Sequence, residues 1–338
     1  MINEVYRLVA RKQIHTDFLD ETIRDEVVVR PTYLSICAAD QRYYTGSRGK
    51  EIMSEKLPMA LIHEGVGHVI YDPKGEFKIG TRVVMIPNTP VEDDVIIKEN
   101  YLPSSKFRAS GFDGFMQNVV LMGRDRVVPY TCIPDRTAVL LELLSVVMNA
   151  LENFELRSHA RRETIGIWGN GNLGFISALV LKILYPDTRV IVFGVSRHKM
   201  QFFPFVDETY IIDSIPDDLR VDHAFECVGG NGSEDAINQI IDYIQPQGTI
   251  ALLGVSESNV NINTRMVLEK GLILVGNSRS GYADFKAAVK FLEKNSSARE
   301  YMDIIISEEI EINGISDINR AFEHDQANDF KTVMKWNV

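Results

Sequence analysis

Cysteine is scarce in this chain, which carries only Cys37, Cys132 and Cys227 among its 338 residues. Three are too few for the disulfide framework of a secreted domain, so each is a candidate metal ligand, nucleophile or buried small residue. No apolar run reaches the roughly 18 residues of a membrane span, and the N-terminal segment MINEVYRLVARKQ lacks the layout of a signal peptide. These absences predict a cytoplasmic protein with no membrane partner.

Positive charge is also in deficit, because the formal net charge is −11 at pH 7. Phosphate backbones and anionic lipids need basic faces, so general binding to nucleic acid or to a membrane surface is excluded. A small anionic substrate would need a local basic pocket. The remaining composition, 45% apolar and 25% charged, is ordinary for a globular protein.

The segment 164–195 has the pattern of a dinucleotide-binding βαβ unit, with a buried strand, a glycine turn, an apolar helix and a second buried strand. In this interpretation one glycine permits the tight turn, the next lets a pyrophosphate approach the backbone, and the third lets helix and strand pack closely. The helix N-terminus supplies free N–H groups. The alternative is a turn that only packs a strand on a helix. The turn consists of Gly169, Asn170, Gly171, Asn172, Leu173 and Gly174.

The order of predicted elements indicates an α/β protein with two domains. Short strands separated by Gly and Pro turns fill about the first 130 residues and favour a partly open β-barrel. Strands alternate with helices after residue 164, which indicates a doubly wound parallel sheet. The α+β tail is expected to return to the first domain. The predicted bounds are 1–145 for the first part of a catalytic domain, 146–282 for a nucleotide-binding domain and 283–338 for the returning tail.

Four residues have the chemistry of a catalytic zinc site. Cys37 lies in CAAD, His63 and Glu64 are adjacent in IHEGVG, and Glu142 lies near the start of a predicted helix. A thiolate, an imidazole and a carboxylate suit Zn²⁺, and a catalytic zinc needs three protein groups and one open position. On spacing alone, Cys37 could be a buried apolar residue, His63 a hydrogen-bonded turn residue and Glu142 a helix-start charge.

Taken together, the motifs resemble the zinc-dependent medium-chain dehydrogenase/reductase family over nearly the whole chain. That resemblance implies a Rossmann sheet and a GroES-like partly open barrel, with hydride transfer between a nicotinamide and a carbinol or carbonyl carbon. It also implies that Cys37 and His63 are zinc ligands, that Glu64 or Glu142 is the third, and that Asp40 orients a ligand. The motifs are Cys37-x-x-Asp40, His63-Glu64-x-x-Gly67, Gly111-x-x-Gly114-Phe115, Glu142-x-x-Ser145, Gly169 to Gly174 and the tail ISDINRAFE with KTVMKW.

Two departures from the family pattern are informative. The family's structural zinc uses four clustered cysteines, and residues 88–110 contain none, so we expect that metal to be absent. The serine or threonine that commonly relays the proton is Ala39 here. Another group must then deliver the proton, and the candidates considered are a zinc-bound water with Glu64, Tyr43 and Tyr44.

The end of the second βαβ strand indicates the cofactor. NAD enzymes normally place Asp or Glu there, about 20 residues beyond the glycines, to bind the ribose hydroxyls. Here Gly194 holds that position, and Ser196, Arg197 and Lys199 follow it. No carboxylate repels a 2′-phosphate, so the sequence predicts NADPH. The alternative is that Arg197 and Lys199 form only a solvated helix start.

Within the family, the phrases SICAADQRYYTGSR, LPMALIHEGVG and HAFECVGG resemble the ribulose-5-phosphate reductases. The resemblance implies NADPH-linked reduction of D-ribulose 5-phosphate to D-ribitol 5-phosphate, which feeds CDP-ribitol for teichoic acid or capsule synthesis. It implies a ribitol-5-phosphate cytidylyltransferase as functional partner and a homodimer through strand 272–276.

A sugar phosphate in an acidic protein calls for local cations, and Arg42 and Arg279 are the leading candidates for its phosphate group. Further candidates are Arg48, Lys106 and Arg108. Two other functions remain open. One is a zinc polyol or alcohol dehydrogenase that acts on an unphosphorylated substrate. The other is an NADPH-binding protein without catalysis.

Overall fold

A computed structural model describes Met1–Val338 and divides the chain into two compact units. The first unit comprises residues 1–145 and 280–338, and the second comprises residues 146–279. Compactness does not test which segment binds a nucleotide, so the predicted assignment of 146–282 and 283–338 stays a prediction. None of the helices combines the length and the apolar composition that crossing a lipid bilayer requires.

The N-terminal part of the first unit is built mainly from short strands. Apolar residues fill its core, and Gly and Pro turns separate the strands, as the sequence pattern predicts. Its elements are β1 (Ile2–Ala10), β2 (Gln13–Asp20), β3 (Val27–Ser35), α1 (Ala38–Tyr44), α2 (Lys50–Lys56), β4 (Met59–Ala60), β5 (Glu64–Tyr71), β6 (Arg82–Met85), β7 (Asn88–Thr89), β8 (Lys106–Phe107), β9 (Val120–Met122), β10 (Val127–Pro129) and α3 (Asp135–Ala138). Helix α4 (Leu141–Arg157) follows and carries the chain into the second unit.

The second unit is a parallel sheet whose strands alternate with helices. Its elements are β11 (Thr164–Trp168), α5 (Asn172–Leu184), β12 (Arg189–Gly194), α6 (Arg197–Met200), β13 (Glu208–Ile211), β14 (His223–Glu226), α7 (Ser233–Tyr243), β15 (Thr249–Leu252), α8 (Thr264–Lys270) and β16 (Ile273–Gly276). The strand order is β13-β12-β11-β14-β15-β16, and every pairing is parallel. This is the order of a doubly wound dinucleotide-binding sheet, and the predicted α/β fold class is confirmed.

The C-terminal tail completes the first unit. It contains α9 (Tyr282–Lys294), α10 (Ser296–Ile304), β17 (Ile306–Ile312), α11 (Ile315–Ala327) and β18 (Lys331–Trp336). Strand β18 pairs antiparallel with β3 and parallel with β17, so the main sheet runs β10-β6-β5-β3-β18-β17. The last strand of the chain therefore lies beside the strand that leads to Cys37.

The segment 88–110, which lacks cysteine, is held by the carboxylate of Glu99. Both Glu99 oxygens accept bonds from the buried Arg126, at 3.1 and 2.9 Å, and one also accepts the backbone N–H of Tyr282 at 2.6 Å. The Glu99 carbonyl accepts the Ser105 hydroxyl at 2.6 Å. A bidentate guanidinium pair of this kind fixes both distance and orientation. Glu99 thus anchors this segment to the start of α9.

We predict that Glu99→Gln destabilises the protein by about 1–3 kcal/mol, because it removes the charge-assisted bonds to Arg126 while keeping the side-chain size. Urea unfolding measures the change. Glu92→Gln is the control, since Glu92 lies exposed in the same segment and contacts only the Ser104 hydroxyl. Equal stability of the two variants would show that Glu99 does not anchor the segment.

Candidate active site

Four ligand-type side chains converge in the first unit. Cys37 is the N-cap of α1, His63 directly precedes β5, Glu64 begins β5, and Glu142 lies in the first turn of α4. The ligand atoms of His63, Glu64 and Glu142 all lie within 4.8 Å of one another. The same limit holds for those of Cys37, Asp40 and His63. The structure therefore brings together all of the residues that the sequence proposed for the metal.

Asp40 fixes the two segments that carry Cys37 and His63. It is 1% exposed, and one of its oxygens accepts the backbone N–H of Cys37 at 3.1 Å. Its other oxygen accepts the backbone N–H of Ile62 at 3.0 Å and lies 3.6 Å from His63 Nδ1. Helix α1 makes this possible, because it begins at the cysteine and places residue 40 one turn later. The geometry is that of a carboxylate that orients metal ligands.

The backbone before His63 is strained. Ile62 has a φ of 71°, a value that is unfavourable for a β-branched residue. Its N–H is held by Asp40, and its carbonyl accepts the N–H of Phe115 at 2.7 Å, while Gly114 donates to Ala60 at 2.8 Å. The Gly114-Phe115 motif thus supports the turn that presents the imidazole. Strain held in place by surrounding bonds is common at functional sites.

Lys331 is a site residue that the sequence analysis missed. It begins β18, is 3% exposed, and donates to Glu64 Oε1 at 2.5 Å and to the carbonyl of Ile36 at 2.9 Å. The neighbouring carboxylate outweighs burial and holds the pKa of the Lys331 ammonium above its usual range. Nothing in KTVMKW separates this buried lysine from the partly exposed Lys335 on the same strand.

The pocket carries an excess of negative charge. Burial raises the pKa of Glu142 to about 7, Glu64 adds to that rise, and His63 opposes it. For His63 burial lowers the pKa, but Asp40 and Cys37 outweigh it and hold that pKa well above its usual range. The two shifts have different main causes: loss of water around the carboxyl raises the pKa of Glu142, whereas the neighbouring Asp40 and Cys37 raise that of His63.

The residues present fit a zinc ion. Glu64 is fully buried, and its Oε2 has no hydrogen-bond partner, which is costly unless another group satisfies it. Cys37 and the two glutamates each place a ligand atom within 4.8 Å of one in His63, and thiol, imidazole and carboxylate are donors that zinc accepts. Coordination by three of these four groups would leave one position of a tetrahedral zinc exchangeable. Glu64 and Glu142 remain alternatives for the third protein ligand.

The glycine turn has the geometry expected for a nucleotide. Gly169 has a φ of 119°, and a side chain at Gly174 would collide with the carbonyl oxygen of Gly169. At Gly171, by contrast, the space is open. Helix α5 begins directly after it and runs for 13 residues, with Asn172 and Leu173 in its first turn. The turn is therefore closed towards the sheet and open towards an anion at the helix N-terminus.

Packing at the end of β12 accounts for the glycine at position 194, where NAD enzymes normally place Asp or Glu. A side chain at Gly194 would occupy the place of the Asn170 amide, which donates to the Ser196 carbonyl at 2.8 Å. Ser196 caps α6 by accepting the backbone N–H of Lys199 at 3.3 Å. A cavity of about 280 Å³ lies beside α6. The residues that line it, which do not include Lys199, are Arg197, Met200, Thr209, Tyr210, Ile211 and Ser214.

Glu226 is a second residue that the sequence analysis missed. This buried carboxylate accepts backbone N–H groups from Val228, Gly229 and Gly254 at 2.8 to 3.0 Å. It therefore fixes the loops that follow β14 and β15, at the carboxyl edge where doubly wound sheets bind ligands. Strand β14 ends at this acidic residue, and FECVGG after an apolar strand was the available signal.

The two phosphate candidates are half-buried arginines. Arg42 lies in the last turn of α1, two residues beyond Asp40. Arg279 has a φ of 58°, and burial lowers the pKa of its guanidinium.

Of the two tyrosines considered for proton transfer, Tyr44 donates to Asn319 at 2.9 Å. The Tyr43 hydroxyl is buried without a partner.

Known proteins resemble the chain over its full length. Residues 23–135 match the alcohol dehydrogenase GroES-like domain, and residues 135–336 match the glucose dehydrogenase C-terminus. Ribulose-5-phosphate reductase of Bacillus spizizenii is 53% identical, with 100% of each chain covered. Ribulose-5-phosphate reductase 1 of Staphylococcus aureus is 52% identical, with 99% of each covered. The crystal structure of S. aureus TarJ in complex with NADPH superposes with a TM-score of 0.90, at 48% identity and full coverage of both chains.

We predict that Cys37→Ser lowers the zinc content of the purified protein from about one per chain to near zero, because a hydroxyl is a far poorer zinc ligand than a thiolate. Elemental analysis measures the metal, and circular dichroism checks the fold. Cys132→Ser is the control, since Cys132 is exposed and outside the cluster. Retention of zinc by a folded Cys37→Ser protein would remove Cys37 from the ligand set.

Proposed function

The chain belongs to the medium-chain dehydrogenase/reductase family, and we propose that it is a zinc-dependent, NADPH-linked reductase that converts D-ribulose 5-phosphate to D-ribitol 5-phosphate. The cluster of Cys37 with the buried His63, Glu64 and Glu142 carries the proposal, because burying ionisable groups of this kind is costly and a protein that only binds NADPH has no need of it. The full-length similarity to ribulose-5-phosphate reductases supports the substrate.

The reaction transfers one hydride, which carries two electrons, and one proton. A hydride leaves C4 of the reduced nicotinamide and adds to the C2 carbonyl carbon of the sugar phosphate, and the carbonyl oxygen takes up a proton. The products are NADP⁺ and D-ribitol 5-phosphate. A zinc ion held by Cys37, His63 and one of the two glutamates would supply Lewis acidity towards that oxygen.

The protein's own residues bind and orient the reactants. The helix N-terminus after Gly171 faces the pyrophosphate, and Ser196, Arg197 and Lys199 face the 2′-phosphate of NADPH. Asp40 holds the Cys37 and His63 segments in register. For the substrate phosphate we propose Arg42 and Arg279, since a guanidinium can bind it through two parallel bonds.

We also propose the cellular setting that the sequence suggested. The enzyme acts in the cytoplasm, and its product passes to a ribitol-5-phosphate cytidylyltransferase for CDP-ribitol and teichoic acid or capsule synthesis. Two copies pair through β16, which is an edge strand of the six-stranded sheet, and Ile273 on it is 39% exposed. A purely monomeric mass in sedimentation experiments would contradict the dimer.

We predict that kcat/KM with NADPH is at least about a hundredfold higher for D-ribulose 5-phosphate than for D-ribulose. Two charge-assisted bonds to the phosphate, each worth about 1.5–3 kcal/mol, account for such a ratio. NADH should be the poorer cofactor. Equal rates with both sugars would favour an unphosphorylated substrate. Absence of turnover in a protein that binds zinc and NADPH would favour a non-catalytic role.

The serine or threonine hydroxyl that commonly relays the proton in this family is missing, because residue 39 is Ala. We propose Tyr43 as the proton donor instead. Its side chain is 1% exposed, its hydroxyl has no partner, and Arg48 stacks on its ring at 4.6 Å from the centroid. Tyr43 follows Asp40 by three residues on α1, so both lie on one helix face.

We predict that Tyr43→Phe lowers kcat by about a hundredfold, in the range of general acid catalysis, and leaves stability unchanged or higher because no hydrogen bond is lost. Steady-state kinetics and thermal unfolding measure the two effects. Tyr44→Phe is the matched control, which should lose stability through its bond to Asn319 and retain kcat. An unchanged kcat in Tyr43→Phe would assign the proton to another group.

A further inference from the structure

Lys331 joins the two chain segments that carry the proposed metal ligands. Its ammonium donates to the carbonyl of Ile36, the residue before Cys37, and to the carboxylate of Glu64, the residue after His63. The lysine comes from β18, which pairs with β3 immediately before Ile36. A single side chain from the end of the fold thus contacts both sides of the site.

The two oxygens of Glu64 have different roles. Oε1 accepts the lysine at 2.5 Å, whereas Oε2 is buried without a partner. A carboxylate held through one oxygen keeps a fixed orientation, and its second oxygen is left for another cation. His63 and Glu142 are the ligand-type groups nearest to Glu64.

The positive charge of Lys331 affects metal binding as well as the structure of the site. The ammonium and a divalent metal ion would share one carboxylate in a buried pocket, where like charges repel strongly. Without the metal, the same ammonium is the only direct cation partner of Glu64, and an unpaired buried carboxylate is strongly destabilising. The lysine therefore stabilises the metal-free site and opposes metal binding.

We propose that Lys331 is a positioning residue that sets the affinity of the metal site: it turns Glu64 Oε2 towards the metal and keeps the metal exchangeable by opposing its charge. The inference rests on the zinc site of the proposed function and is independent of the substrate. Lys331 contacts no reacting atom in this role, so metal affinity and the stability of the metal-free protein are its direct readouts.

The test uses Lys331→Met in the full chain, with zinc affinity measured by competition with a chromophoric chelator at constant pH. We expect the zinc dissociation constant to fall by about tenfold or more, since the repulsion is removed. We also expect the metal-free variant to melt at a lower temperature and zinc to raise its melting temperature more than that of the unaltered protein. Lys335→Met is the control, because Lys335 lies on the same strand and pairs with Glu311 at 2.7 Å on the surface.

A second pair of variants covers the case in which Lys331→Met does not fold. Glu64→Gln alone leaves the lysine unpaired beside the metal and should weaken zinc binding. Glu64→Gln combined with Lys331→Met carries no unpaired charge and should bind zinc at least about tenfold more tightly than Glu64→Gln alone.

Three results would overturn the inference. If the unaltered protein binds zinc and removal of Lys331 leaves the dissociation constant unchanged in both backgrounds, the lysine is only structural. Equal losses of melting temperature with and without zinc would point the same way. If the unaltered protein binds no zinc, the metal of the proposed function fails together with this inference, whereas an unchanged dissociation constant in a zinc-binding protein overturns this inference alone.

Discussion

Burial of negative charge is the constraint that the first unit must satisfy. Cys37, Asp40, Glu64 and Glu142 crowd around one imidazole, and taking carboxylates out of water is costly unless cations and donors replace the water. The structure meets this requirement with backbone N–H groups on Asp40 and with the Lys331 ammonium on Glu64. The remaining excess is what makes the pocket suitable for a divalent metal.

Much of the architecture could be predicted because it depends on local pattern. The glycine turn, the strands on either side of it and helix α8 follow directly from apolar periodicity and turn residues. Helices α1 and α2 could not be read in this way. Each is only seven residues long, and the polar segments AADQRYY and KEIMSEK show no clear apolar face. Helix α1 matters because it follows Cys37 and places Asp40 against the backbone N–H of that residue.

The residues of the candidate site also differ in whether the sequence could predict them. Cys37, His63, Glu64 and Glu142 are of unusual type and spacing, so they could be proposed from the sequence. Lys331 could not, because a lone Lys at a strand end is usually solvated and only the sheet register buries it. Glu226 had a signal in FECVGG, but its burial likewise depends on the register of β14 in the sheet. The reason for Gly194 is also a contact, since Asn170 fills the space that a side chain there would need.

The pairing of β18 with β3 also bears on biosynthesis. A growing polypeptide exposes Cys37, His63, Glu64 and Glu142 long before residue 331 leaves the ribosome. Until β18 docks, the Glu64 carboxylate lacks its ammonium partner, and the sheet order around β3 is incomplete. The anionic pocket is therefore completed late, through a contact between residues 267 positions apart, and a metal ion captured before β18 docks would meet a site that still lacks its internal cation.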